Sequence, residues 1–373
     1  MAQIAQTPEP IPGGPAPRPR RRIGLFLPYI LLASLVLAWT TAWFFIRGKA
    51  ESEMDAWLAR EAQAGRQWTC ADRSITGFPF RLELRCASVR FARSDGRFTL
   101  GPITAVVQIY DPRHAVLEVA GPFHVEQGDL TGDVTWTSLE ASIHAASNGF
   151  SRVSVVVDAP KGTVLAPDPG PVDFAAGHLE LHARPTPGRF ESEGAVDVSL
   201  RLAKAAVPRL DALSGSPDPA DIDLDATIER ANVLRTGTVA RELEKWRQAD
   251  GRLDVTRISI AKGERRLQAK GAVGLDGEHR PEGRFEIRAA GLEALVGQVM
   301  GQRFGSDKGA LIGTMVGQFL GGLRRREDAT AEAPAADGSG PNGLKPLPTL
   351  RLTDGRLMLG PFPVPNVVLP TLY

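Results

Sequence analysis

Two cysteines are the residues whose chemistry is easiest to define from the sequence. The segment WTCADRSITGFPFRLELRC, residues 68–86, contains both of them, Cys70 and Cys86, and the chain has no others. Their spacing lacks the Cys-x-x-Cys pattern of redox-active pairs, so it favours either a structural disulfide or two buried, reduced thiols. The choice depends on the compartment, because disulfides persist where the surroundings are oxidising.

The residues between the cysteines have the composition of a tight turn. At the midpoint lie Gly77, Phe78 and Pro79. Glycine tolerates positive φ and proline cannot donate to a strand ladder, so this tripeptide predicts the turn of a hairpin. A hairpin centred there pairs residues whose numbers sum to 156, which places Cys70 opposite Cys86 and Arg73 opposite Glu83. Directly opposed cysteines are within reach of a disulfide.

The second arm of this hairpin, residues 80–86, alternates apolar and charged side chains. A period of two is typical of a half-buried strand, so one face of the arm is apolar. That face carries Phe80, Leu82 and Leu84 together with Cys86. We expect the first three to line an apolar groove on a β-sheet.

No other group of residues has the spacing of an active site. The sequence contains no nucleophile elbow, phosphate-binding loop, dinucleotide fingerprint or His-Glu-x-x-His motif. His178 and His182 could share a metal on a helix, but the alternation around them predicts a strand, which separates them by about 13 Å. Asp221, Asp223 and Asp225 alternate with apolar residues and are interpreted as a solvated strand face rather than a calcium site. We therefore expect no enzymatic activity, catalytic residue, metal or cofactor.

An uncharged apolar stretch near the N-terminus predicts an anchor. Residues 23–46 are long enough to cross a bilayer as a helix, which takes about 20 apolar residues. The run is too long for a signal peptide and no cleavage site follows it, which leaves a buried core helix as the alternative. Arginines cluster on its N-terminal side, at Arg18, Arg20, Arg21 and Arg22. The positive-inside rule then predicts that the tail, residues 1–22, lies in the cytoplasm and that the chain crosses the membrane once. The Pro-, Gly- and Ala-rich composition of residues 1–17 predicts that this tail is disordered.

This location decides between the two interpretations of the cysteines. With about 325 residues exported, Cys70 and Cys86 would lie in an oxidising compartment, where a disulfide is the expected state. A disulfide that closes the loop of about 15 residues between the two cysteines would stabilise the fold by on the order of 3 kcal/mol in the chain-entropy model. We predict that the bridge stabilises the fold and takes no part in turnover.

The rest of the chain has the pattern of an all-β protein. Alternating runs such as AVLEVAG (115–121), SRVSVVVD (151–158) and AVDVSLRL (195–202) recur with Gly, Pro or Asp between them. The 44 basic and 43 acidic residues lack the basic excess of a nucleic-acid-binding protein. We expect a mainly β fold: an N-terminal transmembrane helix followed by an elongated, curved antiparallel β-sheet with a few packed helices.

One turn-and-strand unit recurs along the chain. SDGRFTLGPI (94–103) and TDGRLMLGPF (353–362) match at six of ten positions. ADGRLDVTRI (249–258) shares the Asp-Gly-Arg opening, and PEGRFEIRAA (281–290) shares Gly-Arg. Asp-Gly favours tight turns with positive φ, so each copy predicts a turn that feeds a strand, with chance similarity as the alternative. Repetition of such a unit would build a long sheet.

Helices are predicted at three places in the exported β-sheet domain, residues 47–323. The first is near 50–65, and the second, at 238–249, has Val239, Leu243 and Trp246 on one side. The third, at 291–322, is a pair of helices whose small residues permit close packing. Its glycines recur at every fourth position: Gly297, Gly301, Gly305, Gly309, Gly313, Gly317 and Gly321.

The C-terminal part is predicted to leave the sheet and return to it. The run 309–323 is uncharged but short for a membrane span, so the glycine-rich helices are expected to pack on the sheet. Residues 324–347 have the composition of a flexible linker. Residues 348–373 are predicted to be C-terminal strands of the sheet.

The segment ITGFPFRLELRC, with Trp68-Thr-Cys70 upstream and a basic-flanked anchor before it, resembles domain-of-unknown-function family 2125 of Gram-negative envelope proteins. The strand pattern of residues 250–287 is similar to that of AsmA-like proteins, and the whole resemblance covers about residues 20–373. AsmA-like proteins combine one inner-membrane helix with a long, curved periplasmic β-sheet that has an apolar inner groove. The resemblance implies a role in lipid movement or outer-membrane homeostasis, as an analogy of fold.

These observations support two expectations about function. The first is a non-enzymatic protein of the inner membrane that binds phospholipid or another acyl chain in a sheet groove and supports envelope lipid homeostasis. The alternative is a scaffold that recruits an envelope protein through the glycine-rich helices, around Gly313 and Gly317. Lipid crosslinking from the groove would support the first, and loss of a stoichiometric partner after substitution of these glycines would support the second.

Overall fold

The structure is a computed structural model that describes residues 23–146, 149–167, 170–209, 211, 216–235, 237–291 and 343–373. Over these residues the chain is mainly β and antiparallel after one long N-terminal helix, so the predicted fold class is confirmed. The chain divides into two compact units, of which the first ends at Glu51 and the second runs from Ser52 to Tyr373. All the strands described below belong to the second unit.

Helix α1, Ile23–Gln63, is a single helix of 41 residues. Its segment Phe26–Gln63 is long and apolar enough to cross a membrane, with a mean hydropathy of 1.9 over its most apolar stretch. The helix expected near residues 50–65 is the last part of α1 rather than a separate element, because no proline interrupts the chain after the apolar stretch. Gly65, with φ +76°, follows the helix in a left-handed conformation that favours glycine.

The strands are numbered in chain order. The first fourteen are β1 Gln67–Ala71, β2 Ser74–Thr76, β3 Arg81–Cys86, β4 Ser88–Arg93, β5 Gly96–Leu100, β6 Ile103–Gln108, β7 Asp111–Val119, β8 Phe123–Gln127, β9 Leu130–Thr135, β10 Ser138–Ala146, β11 Gly149–Asp158, β12 Lys161–Leu165, β13 Val172–Ala175 and β14 His178–Pro185. The others are β15 Val196–Ala205, β16 Ala220–Ile228, β17 Leu253–Lys262, β18 Arg265–Leu275, β19 Pro281–Ala290, β20 Lys345–Pro346, β21 Leu350–Thr353, β22 Arg356–Leu359 and β23 Phe362–Val368. Helix α2, Phe190–Glu193, lies between β14 and β15, and helix α3, Val239–Gln248, lies between β16 and β17.

These strands form two antiparallel sheets where the sequence predicted one. The small sheet has seven strands in the order β1-β4-β5-β8-β9-β12-β13. The large sheet has sixteen, in the order β2-β3-β6-β7-β10-β11-β14-β15-β16-β17-β18-β19-β21-β22-β23, with β20 also paired to β19. The C-terminal strands thus lie at one end of the large sheet, and β20 lies within the stretch predicted as a linker.

The two sheets arise because seven runs of chain are divided between them. Each run occupies one sheet, breaks for one to three residues and continues in the other sheet. The breaks, which we call the crease, are Asp72–Arg73, Ala87, Gly101–Pro102, Ala120–Pro122, Trp136–Thr137, Ala159–Pro160 and Ala176–Gly177. Three of them contain proline, which cannot donate a ladder hydrogen bond and therefore interrupts a strand.

Helix α3 lies where the sequence predicts it, but its buried side differs. Trp246 is buried and donates from Nε1 to the Glu229 carbonyl oxygen at 2.7 Å, as its predicted apolar position suggests. Val239 is 55% exposed instead of packed, because it is the first residue of the helix. Glu242 is buried, where its carboxylate accepts a hydrogen bond from Lys245 Nζ at 2.7 Å.

The copies of the turn-and-strand unit differ in structure. Asp354 and Gly355 have φ +50° and +71° and turn the chain from β21 into β22, as the sequence predicts. Asp250 also has positive φ and lies just before β17. The prediction is wrong for residues 281–290, which form β19 from end to end, because Gly283 pairs within the ladder rather than in a turn.

Candidate apolar groove

The turn between the cysteines forms, but its register differs from the predicted one. β2 and β3 pair Ile75 with Leu84 and Thr76 with Glu83, so the paired numbers sum to 159 rather than 156. The turn occupies residues 77–80, and its closing hydrogen bond runs from Arg81 N to the Gly77 carbonyl oxygen at 3.1 Å. The pairing is therefore centred after Pro79 instead of on Phe78.

The shifted register separates the predicted pair of Arg73 and Glu83. The Arg73 guanidinium instead pairs with the Asp55 carboxylate of α1 at 2.7 Å. Glu83 is only 4% exposed and its carboxylate accepts a hydrogen bond from Arg85 Nε at 2.6 Å. A second ion pair, with Arg81 at 3.1 Å, compensates for the burial of this charge.

The predicted disulfide between Cys70 and Cys86 is confirmed, with the two Cα atoms 5.2 Å apart. The two residues are not opposed in one hairpin, however. Cys70 lies on β1 of the small sheet and pairs with Val89, whereas Cys86 ends β3 of the large sheet and pairs with Ile103. The bond therefore crosses the crease and joins the two sheets.

One face of the small sheet is apolar. Paired residues of neighbouring strands point to the same side, so the register assigns each side chain to a face. The apolar face carries Trp68, Cys70, Val89, Phe91, Phe98, Leu100, Phe123, Val125, Val134, Val164, Val172 and Phe174. Its aromatic rings contact one another in series: the centroids of Trp68 and Phe91 are 4.6 Å apart and those of Phe91 and Phe98 are 5.1 Å apart.

One face of the large sheet is also apolar, over most of its width. A single row of paired residues crosses twelve neighbouring strands without a polar side chain. The row consists of Ile75, Leu84, Ala105, Leu117, Ala141, Val155, Leu181, Leu200, Leu224, Ile258, Ala269 and Ile287. The opposite face carries the three aspartates interpreted as a solvated strand face, of which Asp225 pairs with Arg257 at 2.9 Å.

The disulfide shows that the two apolar faces point toward each other at the crease. Cys70 belongs to the apolar face of the small sheet and Cys86 to that of the large sheet, and a disulfide needs Cβ atoms about 4 Å apart. The space between the faces is not sealed from solvent. Ile143 and Leu181, on the apolar face of the large sheet, are each 37% exposed, and among the described residues no large side chain is fully buried. We call this space the groove.

Of the three residues predicted to line a groove, two lie on the apolar face of the large sheet and one lies in a turn. Leu82 and Leu84 are half-buried on the apolar face of β3. Phe80 lies in the turn before β3 and is 59% exposed. The glycines predicted to pack helices, Gly297, Gly301, Gly305, Gly309, Gly313, Gly317 and Gly321, lie outside the described residues. Residues 324–342 of the predicted linker lie outside them too.

The histidines considered for a metal site lie on a strand, as the alternation predicts. Glu180 stands between His178 and His182 on β14, with its carboxylate oxygens 3.0 and 3.4 Å from their Nε2 atoms. Asp158 lies 2.6 Å from His178 Nδ1. The hydrogen bond with Asp158 is the larger cause, and that with Glu180 the second, of the raised pKa of His178. No group of metal-ligating side chains suited to an ion occurs in the part of the chain that the structure describes.

The crease is the feature that sequence reasoning missed. Its signal is present in Gly101-Pro102, Gly121-Pro122 and Ala159-Pro160, which interrupt long alternating runs without reversing them. We interpreted such residues as turns between strands of one sheet. A break that keeps the chain direction moves the strand to another sheet instead.

Comparison with known proteins gives one family. Residues 43–367 match the family described as "Uncharacterized protein conserved in bacteria (DUF2125)". No curated protein and no solved structure matches the chain. Because the match covers most of the sequence, including α1 beyond residue 42, both sheets and the disulfide, the chain belongs to this bacterial family.

Proposed function

We propose that the chain is a non-enzymatic protein of the inner membrane that binds acyl chains of phospholipid in the groove and supports lipid homeostasis of the envelope. The observation that carries the proposal is the apolar row across twelve strands of the large sheet. This row shares the groove with the apolar face of the small sheet and stays accessible to solvent at residues such as Leu181.

Acyl chains suit such a surface because they need apolar area and no directional contacts. Removing each methylene from water contributes about 0.8 kcal/mol, so a long chain gains much from many weak contacts. Large exposed apolar faces are uncommon in soluble proteins and mark interaction sites. The described residues offer no polar row inside the groove that would select a sugar or a nucleotide.

The location is part of the proposal. The apolar part of α1 is long enough to span a bilayer, and the arginines before it favour a cytoplasmic N-terminus. The Cys70–Cys86 disulfide is typical of an oxidising compartment such as the periplasm. One anchor followed by a long, grooved β-sheet resembles the plan of AsmA-like proteins, which supports a role in lipid movement.

Photocrosslinking tests the groove directly. A photoreactive amino acid at Ile143 or Leu181, each 37% exposed on the apolar face, should capture phospholipid in cells. Val116 is a matched control, because it is also apolar and 37% exposed but pairs with Ser142 on the polar face. If Val116 captures as much lipid as Leu181, the groove does not bind acyl chains.

The scaffold alternative stays a prediction, because Gly313 and Gly317 lie outside the described residues. A pull-down from detergent extracts separates the two functions. A scaffold loses a stoichiometric partner when both glycines are replaced by leucine, whereas a lipid carrier keeps its crosslinks at Leu181.

A further inference from the structure

The polar face of the large sheet has a cleft at its C-terminal end, away from the groove. The cleft has a volume of about 1160 Å³ and lies over β17, β18, β19 and β21. Its lining is rich in small residues, including Gly271, Ala272 and Gly283. A Cβ atom at Gly271 would overlap the Arg284 carbonyl oxygen, so only glycine permits this approach of β18 to β19.

Two arginines stand side by side in this cleft. Arg284 of β19 and Arg351 of β21 are directly paired across the ladder, which places their side chains on the same face. The residue paired with Arg284 on its other side is Ala272, which is too small to shield the guanidinium. Directly opposed like charges destabilise a sheet, and Cβ atoms in such pairs are about 5 Å apart.

The carboxylates nearby do not neutralise these arginines. Glu286 pairs with Lys270 at 3.1 Å, and among the described residues neither Arg284 nor Arg351 forms an ion pair. Asp254 and Glu282 also line the cleft, and neither lies within ion-pair distance of the two guanidinium groups. At the rim, Arg247 is held by Glu244 at 2.8 Å, so its charge is already compensated.

We propose that Arg284 and Arg351 together bind a phosphate group. Two adjacent guanidinium groups present parallel N–H donors that match the oxygens of phosphate and can bind it in a bidentate manner. An anion between them would also remove the repulsion across β19 and β21. The cleft is large enough for a phosphate carried by a larger molecule, so an anionic lipid headgroup and free phosphate are two sources of the same chemistry. This site is on the opposite face from the groove and does not depend on the proposed function.

The test uses the full chain in nanodiscs of phosphatidylcholine. Inorganic phosphate is titrated calorimetrically, and vesicles containing phosphatidylglycerol are tested by co-flotation. The double variant Arg284→Gln/Arg351→Gln should lose at least tenfold in affinity for the probe that binds. Its melting temperature without anion should not fall, because the substitution removes a repulsive pair.

The matched control is Arg201→Gln/Arg257→Gln, which removes two arginines of the same polar face that lie near Asp223 and Asp225. Binding of phosphate alone identifies a free anion as the source, and binding of vesicles identifies a lipid headgroup. Equal loss in the control, or no binding of either probe to the unmodified protein, would overturn the proposal.

Discussion

The two halves of the β unit hold their strands in different ways. From β1 to β14, seven runs of chain cross the crease, so each contributes to both sheets. From β15 to β23, every strand stays in the large sheet. The first half therefore has two apolar faces that oppose each other, whereas the second half has one.

The breaks of the first half differ in residue type. Four of the seven contain proline or glycine, which end the ladder and redirect the chain, whereas Asp72–Arg73, Ala87 and Trp136–Thr137 contain neither. Register shifts occur in both halves, for example between His144 and Ala145 in the first and between Asp225 and Ala226 in the second. Such bulges bend a strand but keep it in its sheet. The two halves are therefore distinguished by the breaks that move the chain to the other sheet, and no single residue type accounts for these breaks.

Substitution at the crease should have the largest effect on this comparison. A Cβ atom at Gly101 would lie 2.5 Å from the carbonyl oxygens of Ala120 and Gly121, which is closer than packing allows. The backbone of the crease must then move, so we expect Gly101→Ala to lower the free energy of unfolding by about 4 kcal/mol. Urea denaturation followed by tryptophan fluorescence measures it.

The control for this variant is Gly277→Ala, because a Cβ atom there meets nothing within 4 Å. It should change the free energy of unfolding by less than about 0.5 kcal/mol. Equal effects of the two substitutions would show that the crease tolerates a side chain at position 101. Gly101 would then not be required for the division of β1–β14 between two sheets.

Loss of the disulfide should have the next largest effect. Cys70→Ala/Cys86→Ala frees β1 from the end of β3 and restores the entropy of a loop of sixteen residues, a cost of about 3 kcal/mol. We expect a lower melting temperature but unchanged lipid crosslinking at Leu181 in each folded molecule. A reducing agent should bring the unmodified protein to the stability of the variant. No response to the agent would mean that the bridge contributes nothing in solution.

Much of the fold could be predicted from alternation alone. The apolar positions of β3, β11 and β15 lie on one face because side chains alternate along any strand, whichever sheet it joins. The disulfide was also predictable, since the chain has only two cysteines and the predicted anchor implies an oxidising compartment for them. The strand character of His178 and His182 followed from the same alternation.

The number of sheets could not be predicted in this way, and the register was predicted from the symmetry of the cysteines rather than from alternation. A register centred on Phe78 would place Ile75 opposite Arg81, whereas the observed one, shifted by three positions, places Ile75 opposite Leu84. Cys70 pairs with Val89 because the chain passes from β3 into the small sheet after Cys86, and alternation along a single strand does not indicate such a passage. The position of Arg284 beside Arg351 also could not be predicted from local sequence, because 66 residues lie between them. The two arginines become neighbours only because β21 pairs with β19.

The half without a crease, β15–β23, includes a polar cluster around Glu244 of α3. Its carboxylate accepts hydrogen bonds from Arg247 and from the hydroxyl of Tyr373, each at 2.8 Å. The Tyr373 ring stacks on His279, with centroids 4.3 Å apart. The C-terminal residue is thereby fixed to a helix that lies 129 positions earlier in the chain.

Tyr373→Phe should have the smallest of the three effects, because it removes one hydrogen bond and keeps the ring. We expect a loss of about 1 kcal/mol in the free energy of unfolding at pH 7, while Tyr110→Phe, in the other half and 72% exposed, should be neutral. The hydrogen bonds of Arg247 and then Tyr373 lower the pKa of Glu244 to about 2 from an ordinary value of 4.5.

This pKa shift gives the loss a defined pH dependence. A carboxylate whose pKa is lowered by folding stabilises the protein fully above its unfolded pKa, and the contribution disappears as the pH falls toward the folded value. The difference between the unmodified protein and Tyr373→Phe should therefore be constant above about pH 5 and shrink between pH 4.5 and pH 2. Urea titrations at several pH values measure it. A difference that persists unchanged down to pH 2 would mean that packing of the ring on His279, and not the hydrogen bond to ionised Glu244, fixes the C-terminus to α3.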